Sequence, residues 1–113
     1  IRAAGGEAVA VRSDLAKEED RLGLIDTAEA AFGPVDILVN NAAVTFYAPV
    51  VSFTEKRFRL MMEVQVWGPF QLAQRVLPAM VRRGSGWILN ISSHAAIHPD
   101  KTLSRAGGAV YGM

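Results

Sequence analysis

Two short apolar runs, residues 35–39 (VDILV) and 87–91 (WILNI), constrain what this chain can fold into more than any other feature. Each has the length of a strand and is nearly continuous rather than alternating. That is the pattern of strands covered on both faces in a parallel sheet. Parallel neighbours cannot be joined by a tight hairpin, so a crossover is required, and it is normally helical. The stretch between the runs fits: Ser52-Phe53-Thr54-Glu55 has capping-box spacing, and a long amphipathic segment follows it to about Arg83. Gly68-Pro69 and Pro78 lie inside that segment, and each proline is expected to kink or split the helix, at about 3 kcal/mol if uncompensated. Gly84-Ser85-Gly86 then turns the chain into the second run.

The same alternation holds upstream. Residues 7–12 (EAVAVR) follow the Gly5-Gly6 turn and read as a short strand that ends at Ser13-Asp14. A helix is expected over residues 17–32. Glu18, Glu19 and Asp20 suit the positive end of its dipole, Leu22, Ile25, Ala28 and Phe32 recur at helical spacing, and Gly33-Pro34 stops it, although Gly23 weakens it. The segment after Ser93 is rich in Gly, Pro, His and charge and reads as a loop. No internal repeat is visible, and one domain at most is expected.

Composition removes several classes of function. Half of the 113 residues are hydrophobic, which excludes a disordered chain. Twelve Lys and Arg against eleven Asp and Glu leave no broad basic surface for nucleic acid. The absence of Cys excludes a disulfide scaffold, a thiolate zinc site and a Cys nucleophile. No apolar run approaches the ~20 residues of a membrane span. No secretory signal is visible, so the cytoplasm is the default expectation.

In open α/β sheets, ligands sit beyond the carboxyl ends of the strands. Two such places stand out, Asn40-Asn41-Ala42-Ala43 and Ser92-Ser93, with Tyr111 eighteen positions after Ser93. A hydroxyl and a phenol converging on one carbonyl oxygen make a sensible pair, one donating a hydrogen bond and the other a proton. Taken locally, Ser93 also reads as a strand-end cap, Tyr111 as a packing ring and Asn40-Asn41 as turn chemistry, with Asn40 tying neighbouring loops together. His94 and His98 are four apart, but no third ligand accompanies them and no metal site is expected.

In combination and in this order, the blocks around Ser13-Asp14-Leu15, DILVNNAA over residues 36–43, Trp67-Gly68-Pro69-Phe70, ILNISS over residues 88–93 and Tyr111-Gly112 resemble the short-chain dehydrogenase/reductase family. The resemblance covers nearly the whole chain. It implies a partial doubly wound, Rossmann-type parallel sheet in three α/β/α layers, with residues 1–113 as the central portion of a single NAD(P)-binding domain. The family's glycine-rich phosphate turn would precede Ile1, and its catalytic lysine, four residues past the tyrosine, would follow Met113. A piece of a longer chain is therefore expected. In the family's strand order, residues 7–12 and 35–39 would be separated by two strands that this chain lacks.

The resemblance also implies roles. Asp14 and Leu15 match the adenine contact, Asn41, Ala42 and Ala43 the stretch along the cofactor ribose, Ser93 the substrate-orienting serine, and Tyr111 the proton donor and acceptor beside the cofactor. Ala43 stands where the family usually has Gly. Gln65 stands where it commonly has Asn, whose amide holds a water in the proton relay; Gln keeps the donor and acceptor one methylene further out. The segment from Ser93 to Tyr111 is longer than the family's usual spacing, and Asp100, Lys101 and Arg105 in it are read as a solvated loop or as the rim of a substrate entrance. The implied activity is hydride transfer between NAD or NADP and a carbonyl or secondary alcohol, with the isolated piece inactive. The alternative is a catalytically impaired relative that binds a nucleotide or partner, motivated by Gln65 and the longer loop. Trp67, Met61, Met62 and Phe70 are expected on one packed helix face, and the resemblance implies a homodimer or homotetramer built on that helix.

Overall fold

The computed structural model describes residues 1–96. Helix α1 spans Glu18–Phe32, strand β1 Ile37–Asn40, helix α2 Glu55–Met62, helix α3 Gly68–Arg83 and strand β2 Trp87–Asn90. A π-helical turn, Glu63–Trp67, joins α2 to α3 without a break, and three short 3-10 turns lie at Arg2–Ala4, Val50–Ser52 and His94–Ala96. No helix among the described residues is long and apolar enough to cross a membrane.

The two strands pair directly and in parallel, with Ile37 opposite Trp87 and Asn40 opposite Asn90. The chain reaches β2 from β1 through the whole α2–α3 rod, which is the crossover that parallel pairing demands. Core packing explains the arrangement: Leu38 from β1, Ile25 from α1, and Leu72, Val76 and Met80 from α3 form one buried cluster, with Val35, Ala73 and Ile88 against it. Leu72, Val76 and Met80 are spaced four apart and so present one stripe of α3 to the sheet. At the far end of α3, Gly84 takes a left-handed conformation (φ 68°), and the Ser85 N–H reaches back to the Met80 carbonyl at 3.1 Å. This closes the helix as a glycine cap should. Arg83 donates to the Val35 carbonyl at 2.8 Å and pairs with Asp36 at 3.2 Å, fixing that end to the entry of β1. Arg75 of α3 bridges to Asp26 and Glu29 of α1 at 2.7 and 3.2 Å. The Asp26 hydrogen bond and the nearby Glu29 charge hold its guanidinium further above its usual range. That charge is therefore present at every pH where the protein works, and the bridge gains no pH dependence from the arginine.

Several expectations are corrected. Residues 7–12 are not a strand, because a strand exists only in a ladder and no partner lies beside them among the described residues. The strands are covered on one face only: Leu38 is buried, whereas Ile37, Val39, Trp87 and Leu89 on the other face are 46 to 59% exposed. Helices α1 and α3 both pack on the Leu38 side, so the described residues supply one helical layer. Helix α2 is capped by Thr54, whose Oγ1 accepts the Arg57 N–H at 3.4 Å, and not by a Ser52–Glu55 box; the Ser52 hydroxyl donates instead to the Pro49 carbonyl. On α1, Ile25 is buried but Phe32 is exposed, and the place taken in the buried stripe is that of Arg21. Met61 is buried while Met62, Trp67 and Phe70 are exposed, so these four do not share a face.

The prolines behave differently from each other. Pro69 sits within the continuous α2–α3 rod, directly after the π turn, and has no N–H to give to the turn before it. In a regular helix its ring would still press on the carbonyl of residue 65. The π turn relieves this by widening the backbone one step earlier, with the Gly68 N–H bonding the Glu63 carbonyl five residues back. Pro78 lies inside α3, which continues through it.

Candidate functional site

The sheet ends where the chemistry was sought. Asn40 and Asn90, the last residues of the two strands, are tied by a hydrogen bond from Asn40 Nδ2 to Asn90 Oδ1 at 2.9 Å, and the Ile91 N–H continues the ladder to the Asn40 carbonyl at 3.0 Å. Beyond this rung the two loops part around a cleft of about 270 Å³, lined on one side by Ala42 and Ala43, on the other by Ser92 and Ser93, and at its base by Gln65, Val66 and Pro69. Asn41 is exposed beside it. The Ser93 Oγ accepts the Ala95 N–H at 3.2 Å, which turns the chain away after β2 and fixes the hydroxyl at the cleft wall. Tyr111 lies outside the described residues, as do His98, Asp100, Lys101 and Arg105. Among the described residues, no three His, Cys, Asp or Glu side chains gather as a metal site.

Gln65 enters the cleft because it sits in the middle of the π turn. Such a turn re-aims a side chain that a regular helix would point elsewhere, and π turns are frequent at functional sites. Its Oε1 accepts the Val44 N–H at 3.0 Å, so the extra methylene relative to Asn is used to reach the main chain after β1. The amide NH₂ remains as a donor. Ala43 needs no glycine conformation, because no non-glycine residue among the described ones has a positive φ. Its methyl therefore affects the width of the cleft and not the strain of the loop.

Asp14 and Leu15 lie on a separate, tightly wound turn. The Asp14 N–H donates to Asp20 Oδ2 at 2.7 Å, Asp14 Oδ1 accepts the Ala16 N–H at 3.0 Å, and the Asp14 carbonyl accepts the Lys17 N–H at 2.9 Å. This turn is joined to the π turn by a residue that the sequence pattern did not single out. Arg21, its side chain only 2% exposed, donates through Nη1 to the Leu15 carbonyl at 2.6 Å and pairs through the same nitrogen with Glu63 at 2.9 Å, while its Nε donates to Gln71 Oε1 at 2.7 Å. Burying an unpaired guanidinium is costly, and the three acceptors are what make this one tolerable. A charged residue four positions before Ile25, on the stripe that must be buried, was the available signal; read as composition alone it looks like a solvated face.

Residues 1–111 match the sequence profile of the family described as short chain dehydrogenase. An uncharacterized oxidoreductase of Thermotoga maritima is 36% identical over 97 residues, which are 86% of this chain and 38% of that protein. A short-chain dehydrogenase of Streptomyces avermitilis superposes with a TM-score of 0.84 at 33% identity, covering 98% of this chain and 39% of its own. A metagenomic short-chain oxidoreductase solved with NADP superposes with a TM-score of 0.82 at 30% identity, covering 98% of this chain and 50% of its own. The chain thus spans half or less of the length of each of these three relatives.

Proposed function

The chain belongs to the short-chain dehydrogenase family, and from that premise we propose that the full-length protein is an NAD(P)-dependent oxidoreductase acting on a carbonyl or secondary-alcohol carbon, with residues 1–113 as the central portion of its nucleotide-binding domain. The observation that carries this reading is the cleft itself: it opens at the carboxyl ends of two adjacent parallel strands, and Ser93 and Gln65 meet small residues, Ala42 and Ala43, across it. Small side chains on an exposed loop suit close approach of an extended nucleotide, and the NADP complex of a solved relative supports that cofactor class. In this assignment Asp14 and Leu15 hold the adenine, and Asn41, Ala42 and Ala43 lie along the ribose. When bound, the nicotinamide supplies or accepts the hydride.

The remaining work falls to side chains. Ser93 donates a hydrogen bond to the carbonyl oxygen and orients it. Tyr111 passes the proton, and because a free phenol titrates near ~10 it needs adjacent positive charge to act at neutral pH. Gln65 offers its amide NH₂ to a water in the relay. The exposed apolar strip of Phe58, Met62, Val66, Trp67 and Phe70 on α2, the π turn and α3, with Trp67 and Phe70 stacked at 5.7 Å, supports a homodimer or homotetramer.

The test is NAD(P)H consumption by the full-length protein against a panel of carbonyl compounds. Turnover that falls ~10²–10⁴-fold in Tyr111→Phe, with cofactor binding retained, is the expected result. Cofactor binding without turnover across a wide panel favours the alternative of a non-catalytic relative, and failure to bind either cofactor overturns the reading.

A further inference from the structure

We propose that Arg21 is a positioning residue that locks the adenine-side turn and the Gln65-bearing π turn into one rigid unit, so that nucleotide seating and alignment of the cleft are set together. The proposal rests on the oxidoreductase reading above. One planar guanidinium reaches Leu15 at 2.6 Å, Glu63 at 2.9 Å and Gln71 at 2.7 Å, which lie on the adenine-side turn, the π turn and α3. Glu63 is two residues from Gln65, and Leu15 adjoins Asp14. The contact is closely fitted. A Cβ at Gly68 would lie 3.1 Å from the Glu63 carbonyl, 3.3 Å from Arg21 Cδ and 3.5 Å from the Leu15 carbonyl, so the glycine lets all three approach.

An aliphatic side chain at this place on α1 would fill the core without desolvating a charge. What only the guanidinium provides is a fixed fork of donors aimed at several acceptors at once. Lysine, a single point charge, keeps the pairing with Glu63 but cannot reproduce the fork. By holding the Leu15 carbonyl, Arg21 fixes the Leu15–Ala16 peptide plane and hence the path by which the Asp14–Leu15 turn enters α1. The same group anchors the first residue of the π turn, from which Gln65 projects.

A residue that only stabilises the fold weakens all ligands alike, whereas one acting through the adenine-side turn weakens only those that carry adenine. The experiment therefore compares, on the full-length protein, the affinities for NADH and NADPH with that for reduced nicotinamide mononucleotide, which has no adenine. Arg21→Lys retains a charge beside Glu63, and Arg21→Met combined with Glu63→Leu removes both members of the pair so that no charge is left without its partner. In the variants that melt cooperatively, the preference for the better dinucleotide over the mononucleotide is expected to fall about tenfold in the double variant and by a smaller factor in Arg21→Lys, with kcat falling alongside. An unchanged preference in either folded variant overturns the clamp while leaving the oxidoreductase reading intact. A wild-type protein that binds neither dinucleotide overturns both.

Discussion

Gln65 uses its oxygen on the backbone of Val44 while its side chain lines the cleft, and the two roles can be separated by mutation. Gln65→Leu removes both and leaves the Val44 N–H without its acceptor, at about 1–3 kcal/mol. In the full-length protein a lower melting temperature is expected and, on the proposed relay role, a kcat reduced ~10²-fold. Gln65→Asn restores the residue type common in the family and is expected to keep kcat within ~10-fold while losing the Val44 contact. Steady-state kinetics on both variants decide the matter: wild-type kcat in Gln65→Leu would reduce the residue to a structural tie. At this scale the sequence was legible where a residue ends a strand, as at Ala42, Ala43 and Ser93, because strand polarity alone places such residues on one rim. Arg21 was not legible. Its burial depends on acceptors that come together only in three dimensions, one of them fifty residues away.

At the scale of elements, the helices and the two strands followed from periodicity and punctuation to within a residue or two. The exceptions share a cause. Residues 7–12 have strand composition but no neighbour to pair with, and pairing is a property of two segments. The π turn was visible only as a proline problem, since whether Pro69 kinks, splits or widens a helix is decided by what packs around it. Gly68 is the hinge of that outcome. Gly68→Ala gains about 1 kcal/mol of helix propensity, but its methyl meets the Glu63 carbonyl and the Arg21 stem at 3.1 and 3.3 Å, both held in place. Overpacking of about 1–3 kcal/mol is expected to win, so the thermal midpoint of the full-length protein should fall; a rise would show that the π turn has slack. On the same rod, Trp67→Ala removes the larger ring of the stacked pair, and the proposed homo-oligomer predicts that sedimentation velocity shows subunit affinity weakened at least ~10-fold.

For the whole molecule, the balance of surface and core is unusual. A folded monomer of this mass exposes about 6,100 Å², whereas this chain exposes 8070 Å². Ile37, Val39, Trp87, Leu89 and Ile91 are exposed on one side of the sheet, and each of the two strands has an outer edge unpaired among the described residues. The cluster around Val76 covers the other side only. Residues 1–113 prepared alone are therefore expected to melt broadly, bind hydrophobic dyes and aggregate through the strand edges. Calorimetry checks this, and a sharp two-state transition would show that one covered face suffices.

The amide pair at the last rung of the sheet has a geometric consequence. Side chains in a strand repeat every second residue, so a parallel pair can slip by two positions and still present its apolar residues to the core. Such a slip would carry one loop past the other by about 7 Å. Here it would set Asn40 opposite Ile88 and leave both amides without their partner. Asn40 and Asn90 therefore act as an index mark: they fix the relative height of the two rims whatever shape either loop takes, and the cleft is gauged from within the sheet.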